Sequence, residues 1–287
     1  MPVETAPIIP TTEKPLVSVI TVVRNGAAHI ADNLASVAEQ DYPAIEHLVL
    51  DGASTDGTQE LVRVRAHPRL RFTSEPDDGI YHAMNKGIAQ AKGVYMVFLN
   101  SDDTFASSQA VSLAMARLSG DATNLSEESL HCFAYAPFSR TSPMPALIAR
   151  PQVHVRDPLS VHTICHQGTI FPRQVFARVG TYDEGFRLAG DFEHRLRCHL
   201  AGISFVCHPV VLVRFCLDGA TERQMARSFA ESEHAVRASC GAWAGWRFRA
   251  LFWRARLRKM LGAMAKTILG GGAYAWLRSW SLRRRHG

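Results

Sequence analysis

Asn-Ser-Asp-Asp at residues 100–103 has the residue types best suited to bind a divalent cation. The stretch follows the apolar run 94–99, which is typical of a buried strand, so Asp102 and Asp103 stand at a strand end. Carboxylate oxygens are the ligands that Mg²⁺ and Mn²⁺ prefer, and a cation bound there could stabilise a diphosphate leaving group. The structural alternative is an aspartate-rich turn that caps the helix predicted to begin near Ser107.

The elements that would position these acids follow an alternating pattern. Strands are predicted at 16–23, 45–50, 70–73 and 94–99, and helices at 58–65, at 80–91 and before residue 40. Beyond residue 104 the pattern predicts a strand at 163–171, helices at 173–179 and 190–201, and one or two strands within 203–215. This alternation indicates an α/β fold with a mostly parallel central sheet flanked by helices.

A polar cluster follows each of the first four predicted strands. The clusters begin at Asn25, Asp51, Ser74 and Asn100. Ligands bind beyond the carboxyl ends of parallel strands, because backbone N–H groups and helix N-termini converge there. One cluster alone could be ordinary turn chemistry, but four at the same edge of a sheet predict a ligand crevice.

Several motifs between residues 17 and 197 form a specific combination. They are Val-Ser-Val-Ile-Thr at 17–21, Asp-Gly-Ala-Ser-Thr-Asp-Gly-Thr at 51–58, Asp-Gly-Ile-Tyr-His-Ala-Met-Asn-Lys-Gly at 78–87, Gly93, Phe-Leu-Asn-Ser-Asp-Asp at 98–103 and Ala-Gly-Asp-Phe-Glu-His-Arg-Leu-Arg at 189–197. Together they resemble glycosyltransferase family 2, especially its bacterial branch of cell-surface polysaccharide transferases, typified by the colanic acid enzymes. The resemblance implies the Rossmann-like GT-A fold and transfer of a sugar from a nucleotide-diphosphate donor to an acceptor hydroxyl.

The same resemblance implies which residues bind the nucleotide-sugar donor. Asp51 matches the acid that contacts the donor's base, with Thr21 and Asn25 in the same pocket and Asp56 supporting the loop. A surface position on a helix is the alternative for Lys86. The full set of implied donor-site residues is Thr21, Asn25, Asp51, Asp56, Asp78, Asn85, Lys86 and Asp102.

The metal motif is the place where this chain departs from the family pattern. Asp102 matches the closing acid of the family's Asp-x-Asp motif, and Asp103 is its neighbour. The opening acid is replaced by Asn100, which this branch tolerates. The resemblance therefore implies a Mn²⁺ or Mg²⁺ cofactor held by Asp102 and Asp103.

Transfer to a hydroxyl also needs a carboxylate that removes the acceptor's proton. Asp191 matches the family's catalytic acid at the start of a helix, and Arg195 shares its helix face. An Asp that stabilises the helix dipole is the structural alternative. The resemblance predicts acceptor contacts for His166, Gln167 and Arg195, although a lone His is often structural. With Asp191 as the base, the implied mechanism is a single in-line displacement that inverts the anomeric centre.

The length of 287 residues, 47% of them hydrophobic, predicts one catalytic domain with an appendage. The predicted organisation is a flexible arm at 1–14, a GT-A catalytic domain at 15–225 and a helical tail at 226–287. Within the domain, the nucleotide-sugar half is predicted at 15–105 and the acceptor half at 106–225.

Positive charge is concentrated in the predicted tail. The net charge is +6, yet residues 1–236 hold 20 basic against 26 acidic side chains, and no acid follows Glu233. An acidic body argues against nucleic acid as the partner. All five tryptophans lie beyond residue 242, and an apolar stripe at helical spacing lies among arginines: Trp246, Ala250, Trp253, Leu257, Met260 and Met264.

A stripe of this kind predicts a helix lying on an anionic membrane surface, near a lipid-linked glycan acceptor. Charges interrupt every window long enough to span a bilayer. The alternative is a helix that packs its stripe on the catalytic domain. The six cysteines form no C-x-x-C pair and residues 1–15 lack a secretory pattern, so a cytoplasmic protein at the inner face of the cytoplasmic membrane is expected.

Two other functions compete with sugar transfer. A sugar nucleotidyltransferase would need a glycine-rich basic loop after the first strand, and residues 23–27 do not supply one. A scaffold or binding protein that has lost activity is favoured only by Asn100. Family habit implies UDP as the donor's carrier, with GDP and dTDP open. The sugar, the acceptor, the polymer and the oligomeric state are left open by the sequence.

Overall fold

The structure, a computed structural model, describes two compact units, of which the first ends at Ser232 and the second begins at Glu233. The described residues are 14–120, 128–143, 147–154, 156–219 and 224–283, with the backbone alone at 120, 255 and 258–283. Except for Lys14, the predicted flexible arm lies outside them. The unit boundary falls after the predicted domain end at residue 225.

The first unit contains an eight-stranded mixed sheet flanked by helices. The strands are β1 Val17–Val23, β2 Ile45–Asp51, β3 Leu70–Ser74, β4 Tyr95–Phe98, β5 Thr104–Phe105, β6 Leu130–Phe138, β7 Thr169–Pro172 and β8 Phe205–Cys216. The helices are α1 Ile30–Ala38, α2 Thr58–Val64, α3 Ile80–Gln90, α4 Ala110–Gly120, α5 Arg173–Val179, α6 Gly190–Leu200 and α7 Met225–Arg283, with a 3₁₀ helix at Pro158–Thr163.

The strand order is β3-β2-β1-β4-β7-β6-β8-β5. Strands β3, β2, β1 and β4 are parallel, as are β6 and β8, whereas β7 is antiparallel to both of its neighbours and β5 is antiparallel to β8. The predicted α/β class with a mostly parallel sheet is therefore confirmed. The carboxyl ends of β2, β1 and β4 lie side by side, which brings their loops to one edge.

Strands β1 and β2 are buried along their whole length, as expected for parallel strands covered on both faces. Helix α1 covers one face with Ile30, Leu34 and Val37, which recur at helical spacing. The motif glycine Gly93 belongs to the same packing. A Cβ there would lie 2.6 Å from the Ser18 hydroxyl and 2.7 Å from backbone atoms, so a side chain does not fit.

Two segments differ from the sequence-based expectation. The strand predicted at 163–171 is reduced to β7, because the 3₁₀ helix ends at Thr163 and residues 164–168 form a turn. The Asp157 carboxylate caps the start of that 3₁₀ helix by accepting from Leu159 N. No strand or helix was predicted between residues 119 and 160, where strand β6 lies. Its residues, Leu-His-Cys-Phe-Ala-Tyr-Ala-Pro-Phe, form a largely apolar run that is buried at Leu130–Ala134 and partly buried beyond, but Pro137 within the run argues against a strand.

The first unit includes the start of α7 up to Ser232, and the second unit consists of the part of α7 that begins at Glu233. The backbone of this second part doubles back. Gly241 has φ +85°, which L side chains rarely adopt. Arg249 Nη2 lies 2.6 Å from Glu233 Oε1, although an unbroken helix would separate residues sixteen apart by about 24 Å. Gly245 allows this close approach, since a Cβ there would lie 2.2 Å from Arg237 Cγ. No helix in the described part of the chain is long and apolar enough to cross a bilayer.

Candidate active site

The loops after β1 and β2 are tied together by hydrogen bonds. Asn25, at φ 54°, accepts a hydrogen bond from Thr55 N at 3.0 Å, and its own N–H donates to Ser54 Oγ at 2.7 Å. The Asp56 carboxylate accepts from Ala27 N at 3.0 Å and from Thr58 N at 3.1 Å. Asn25 and Asp56 thus link the loops after β1 and β2 at the end of the sheet where a nucleotide was predicted to bind.

Asp51 stands at the end of β2 and is almost fully buried. Its carboxylate accepts from Ser54 N at 3.0 Å, from the Ser54 hydroxyl and from Ser74 Oγ at 2.7 Å. Asp51 lines a small cavity together with Asp77 and Lys86. The side chain predicted to contact the donor's base is therefore held in place by two serines.

Thr21 was predicted to line the nucleotide pocket. Its side chain is fully buried, with the hydroxyl 3.0 Å from His47 Nε2 and 3.3 Å from Asn33 Oδ1. Asn33 in turn donates to the carbonyls of Asn100, at 2.9 Å, and Asp103, at 3.1 Å. Thr21 thus lies behind the crevice, in the network that fixes the loop after β4.

The donor-site residues predicted on and before α3 make hydrogen bonds and an ion pair with other parts of the protein. Asn85 donates to Tyr182 O at 2.9 Å and accepts from Tyr182 N at 3.0 Å. Lys86 pairs with Glu75 at 2.7 Å. The Asp78 N–H donates to His82 Nδ1, and the Asp78 carbonyl accepts from Arg187. These contacts fix α3 and its preceding loop against the segments on either side.

Asp102 lines a cavity of about 450 Å³ beside the loop after β4. The cavity is also bounded by residues from three other segments: His29, Arg140, Thr141, Cys216, Leu217 and Asp218. Asn100 Oδ1 and His29 Nδ1 are buried atoms without a hydrogen-bond partner. Among the described residues, no group of three His, Cys, Asp or Glu side chains is placed to hold a metal ion.

Asp103 takes a different position from its neighbour. Only 1% of the residue is exposed, and Oδ1 accepts from Cys216 N at 2.7 Å. Burial raises the pKa of Asp103 well above its usual range, and the Asp102 carboxylate raises it further. Through Oδ1, Asp103 anchors the end of β8 to the loop after β4, and its role as a metal ligand stays a prediction.

Asp191 lies in the first turn of α6, and both of its carboxylate oxygens have donors. Tyr81 Oη donates to Oδ1 at 3.3 Å, and Arg195 Nη1 lies 3.0 Å from Oδ2. The Asp191 side chain is 26% exposed and that of Arg195 only 4%. Although burial favours the neutral acid, the Arg195 guanidinium holds the pKa of Asp191 below its usual range. Asp191 is thus an ionised, oriented carboxylate with access to solvent.

Tyr81 and Gly190 together make this arrangement possible. A Cβ on Gly190 would lie 2.8–3.0 Å from atoms of the Tyr81 ring, so the ring packs where only glycine fits. Tyr81 was not among the predicted site residues, although it belongs to the 78–87 motif. The available signal was a tyrosine within the motif, because the hydroxyl of a tyrosine needs a hydrogen-bond partner when the side chain is buried.

His166 and Gln167 lie beneath the site and do not face solvent. His166 Nε2 is 2.7 Å from Tyr182 Oη, and its ring stacks on Phe98 at 5.0 Å between centroids. Burial lowers the pKa of His166 to about 4. Gln167, 5% exposed, is near Asp103. The predicted acceptor residues His166, Gln167 and Arg195 are all buried here. Their neighbours are Tyr182, Asp103 and Asp191, respectively.

The sequence and fold of this chain match known proteins. The family described as Glycosyl transferase family 2 matches residues 18–180. An uncharacterized glycosyltransferase of Mycobacterium tuberculosis is 34% identical over 209 residues, which cover 70% of this chain and 73% of that protein.

Two solved structures share the fold. Staphylococcus aureus TarS 1-349 in complex with UDP-GlcNAc has a TM-score of 0.62 at 19% identity, over 78% of this chain and 65% of that one, so this chain spans slightly less than two thirds of TarS 1-349. Mannosyltransferase PcManGT from Pyrobaculum calidifontis, in complex with GDP-Man and Mn²⁺, has a TM-score of 0.60 at 21% identity, over 94% and 84%. With the family match covering more than half of its length, the chain belongs to glycosyl transferase family 2.

Proposed function

We propose that the protein transfers a sugar from a nucleotide-diphosphate donor to an acceptor hydroxyl with inversion at the anomeric carbon. The observation that carries this proposal is the Asp191 carboxylate, which is ionised, partly exposed and held by Tyr81 and Arg195. Such a group can accept the proton of an attacking hydroxyl. A single displacement needs no covalent intermediate on the enzyme.

The residues around Asp102 fit a divalent cation. Asp102 lines an open cavity, and the orphaned Asn100 Oδ1 on the same turn is a second hard ligand. Mg²⁺ and Mn²⁺ are commonly held by one or two carboxylates together with substrate phosphates. A bound cation would neutralise charge that develops on the departing nucleoside diphosphate. We assign the protein's metal contact to Asp102 and give Asp103 a structural role.

The donor's nucleotide is proposed to lie along the loops after β1 and β2. Asn25 and Asp56 brace these loops, and Asp51 is held rigidly at the end of β2. Support for the carrier comes from the two structural neighbours, whose complexes contain UDP-GlcNAc and GDP-Man. We propose UDP as the carrier, in line with the family resemblance.

Release of nucleoside diphosphate tests this proposal most directly. The full chain is incubated with UDP-, GDP- and dTDP-linked sugars, with Mn²⁺, with Mg²⁺ and with a chelator. One donor is expected to release its nucleoside diphosphate when the metal is present. A scaffold would release none under any condition. A nucleotidyltransferase would instead release pyrophosphate in a separate incubation with a nucleoside triphosphate and a sugar phosphate.

The acceptor is proposed to be lipid-linked and presented at an anionic membrane surface, which the tail would contact. Trp243, Trp246 and Trp253 are 76%, 60% and 59% exposed, and exposed arginines lie among them. Aromatic side chains favour the headgroup region, and each basic residue near an anionic surface contributes about 1 kcal/mol. This arrangement supports peripheral attachment at the inner face of the cytoplasmic membrane.

Vesicle sedimentation tests the tail. The full chain is expected to bind phosphatidylglycerol-containing vesicles, to bind phosphatidylcholine vesicles less, and to be released by salt. Replacing Arg247 and Arg254 by Gln should weaken binding by about 30-fold, from about 1 kcal/mol for each charge. The matched control replaces Arg63, on α2, and Arg65, the C-cap residue of α2, and should change binding less than threefold. Equal binding by the two double variants would remove the tail from the proposal.

A further inference from the structure

Glu231, in the first turns of α7, binds a short segment of backbone directly before α6. Its Oε2 accepts hydrogen bonds from three consecutive N–H groups, those of Arg187 at 3.0 Å, Leu188 at 2.7 Å and Ala189 at 3.1 Å. Its Oε1 lies 3.3 Å from Arg227 Nε. The side chain is only 17% exposed. Burial opposes ionisation, but these donors outweigh it and hold the pKa of Glu231 below its usual range.

Three successive N–H groups that converge on one point form a nest, which binds an anion strongly. This nest directly precedes α6 and ends at Ala189, the N-cap residue, whose N–H has no partner within the helix. The N-cap residue, Ala189, has no side chain that can accept from N–H groups at the helix start. Glu231, more than forty residues further along the chain, instead binds the N–H groups of this N-cap residue and of the two residues before it.

The segment 187–189, which Glu231 binds, is connected to Asp191 and also to the loop that begins α3. Asp191 follows Ala189 by two residues on α6. The Arg187 guanidinium donates to the Asp78 carbonyl, on the loop that begins α3. Helix α3 carries Tyr81, whose hydroxyl donates to Asp191. Glu231 therefore fixes the segment 187–189, which belongs to a closed series of contacts that runs through the start of α3 to Asp191, the carboxylate proposed as the base.

We infer that Glu231 is a positioning residue, which orients Asp191 by fixing the backbone that leads into α6. The inference rests on the proposed function, since it assumes that Asp191 removes the acceptor's proton. It also explains the position of the unit boundary: the first turns of α7 belong to the catalytic unit, because they carry this contact. The predicted domain end at residue 225 would have excluded it.

Glu231→Ala should lower kcat by about 10- to 100-fold, because displacement of a catalytic group by about 1 Å costs a factor of that order. The dissociation constant for nucleoside diphosphate, measured by thermal shift, should change less than threefold. Glu231→Gln keeps an oxygen at the nest and should retain more activity than the Ala variant. Arg227→Ala removes the ion pair but leaves the three N–H bonds, and should keep kcat within threefold.

A positioning role is separated from simple loss of folded protein by repeating Glu231→Ala in an Asp191→Asn background. If Glu231 acts through Asp191, the slow residual rate of the double variant should match that of Asp191→Asn within twofold. An equal fractional loss in both backgrounds would overturn the inference, as would full kcat in the Glu231→Ala single variant. Normal turnover by Asp191→Asn alone would instead refute the proposed base. Should Glu231→Ala fail to fold, the same comparison is made with Glu231→Gln.

Discussion

Asp191→Asn is expected to abolish sugar transfer while leaving donor binding intact. The amide keeps the size of the side chain and one oxygen for Tyr81 or Arg195, but it cannot accept the acceptor's proton. Loss of a general base lowers rates by about 10²- to 10⁴-fold. The measurements are kcat from nucleoside diphosphate release with acceptor present, and donor affinity from the shift in melting temperature.

Glu193→Gln is the matched control, because Glu193 lies on the same helix and pairs with Arg197 and not with the site. The Glu193→Gln substitution should lower the melting temperature and leave kcat close to that of the unaltered protein. Turnover by Asp191→Asn within tenfold of the unaltered protein would show that another group takes the proton.

The pH dependence of the rate provides a second signature of Asp191. Its pKa is held below the usual Asp range by Arg195, against the effect of burial. The base is therefore ionised at neutral pH, and kcat should be lost only as the pH falls through this lowered pKa. Reaction rates that already decline between about pH 8 and pH 6 would point instead to a histidine, whose ordinary pKa is about 6.5.

Asp102→Asn should have the second largest effect, a loss of about 10²- to 10³-fold in metal-dependent kcat. Asp102 is the carboxylate that lines the cavity, and its neighbour Asp103 is buried against β8. The half-saturating Mn²⁺ concentration should rise by at least tenfold in this variant. Activity is measured across a Mn²⁺ titration, beginning from chelated protein.

Two neighbouring substitutions sharpen this test. Asn100→Asp restores the charge expected from the family pattern and should lower the half-saturating Mn²⁺ concentration. Asp103→Asn should reduce thermal stability, because its carboxyl group anchors Cys216 N, but should leave the Mn²⁺ dependence unchanged. If Asp103→Asn changes the metal requirement and Asp102→Asn does not, the two acids have been assigned the wrong way round.

The sequence alone was sufficient for the fold class, and it predicted the end of the sheet at which we propose the site. Both follow from local periodicity, because buried parallel strands are continuous apolar runs and the loops after them must lie at their carboxyl ends. Family motifs added Asp102 and Asp191, which stand in loops and helix starts where side chains reach the crevice. They also marked Gly93 and Gly190, whose packing against Ser18 and Tyr81 allows no Cβ.

Tertiary structure decided what each polar side chain does. Thr21, Asn85 and Lys86 have the residue types of a donor site, but their hydrogen bonds are taken up by other parts of the protein. Asp102 and Asp103 are adjacent in sequence, yet one lines a cavity and the other is buried. Whether a polar group binds a ligand or the protein depends on partners distant in the chain, as Glu231 and the α6 nest show, and spacing along the sequence does not record them.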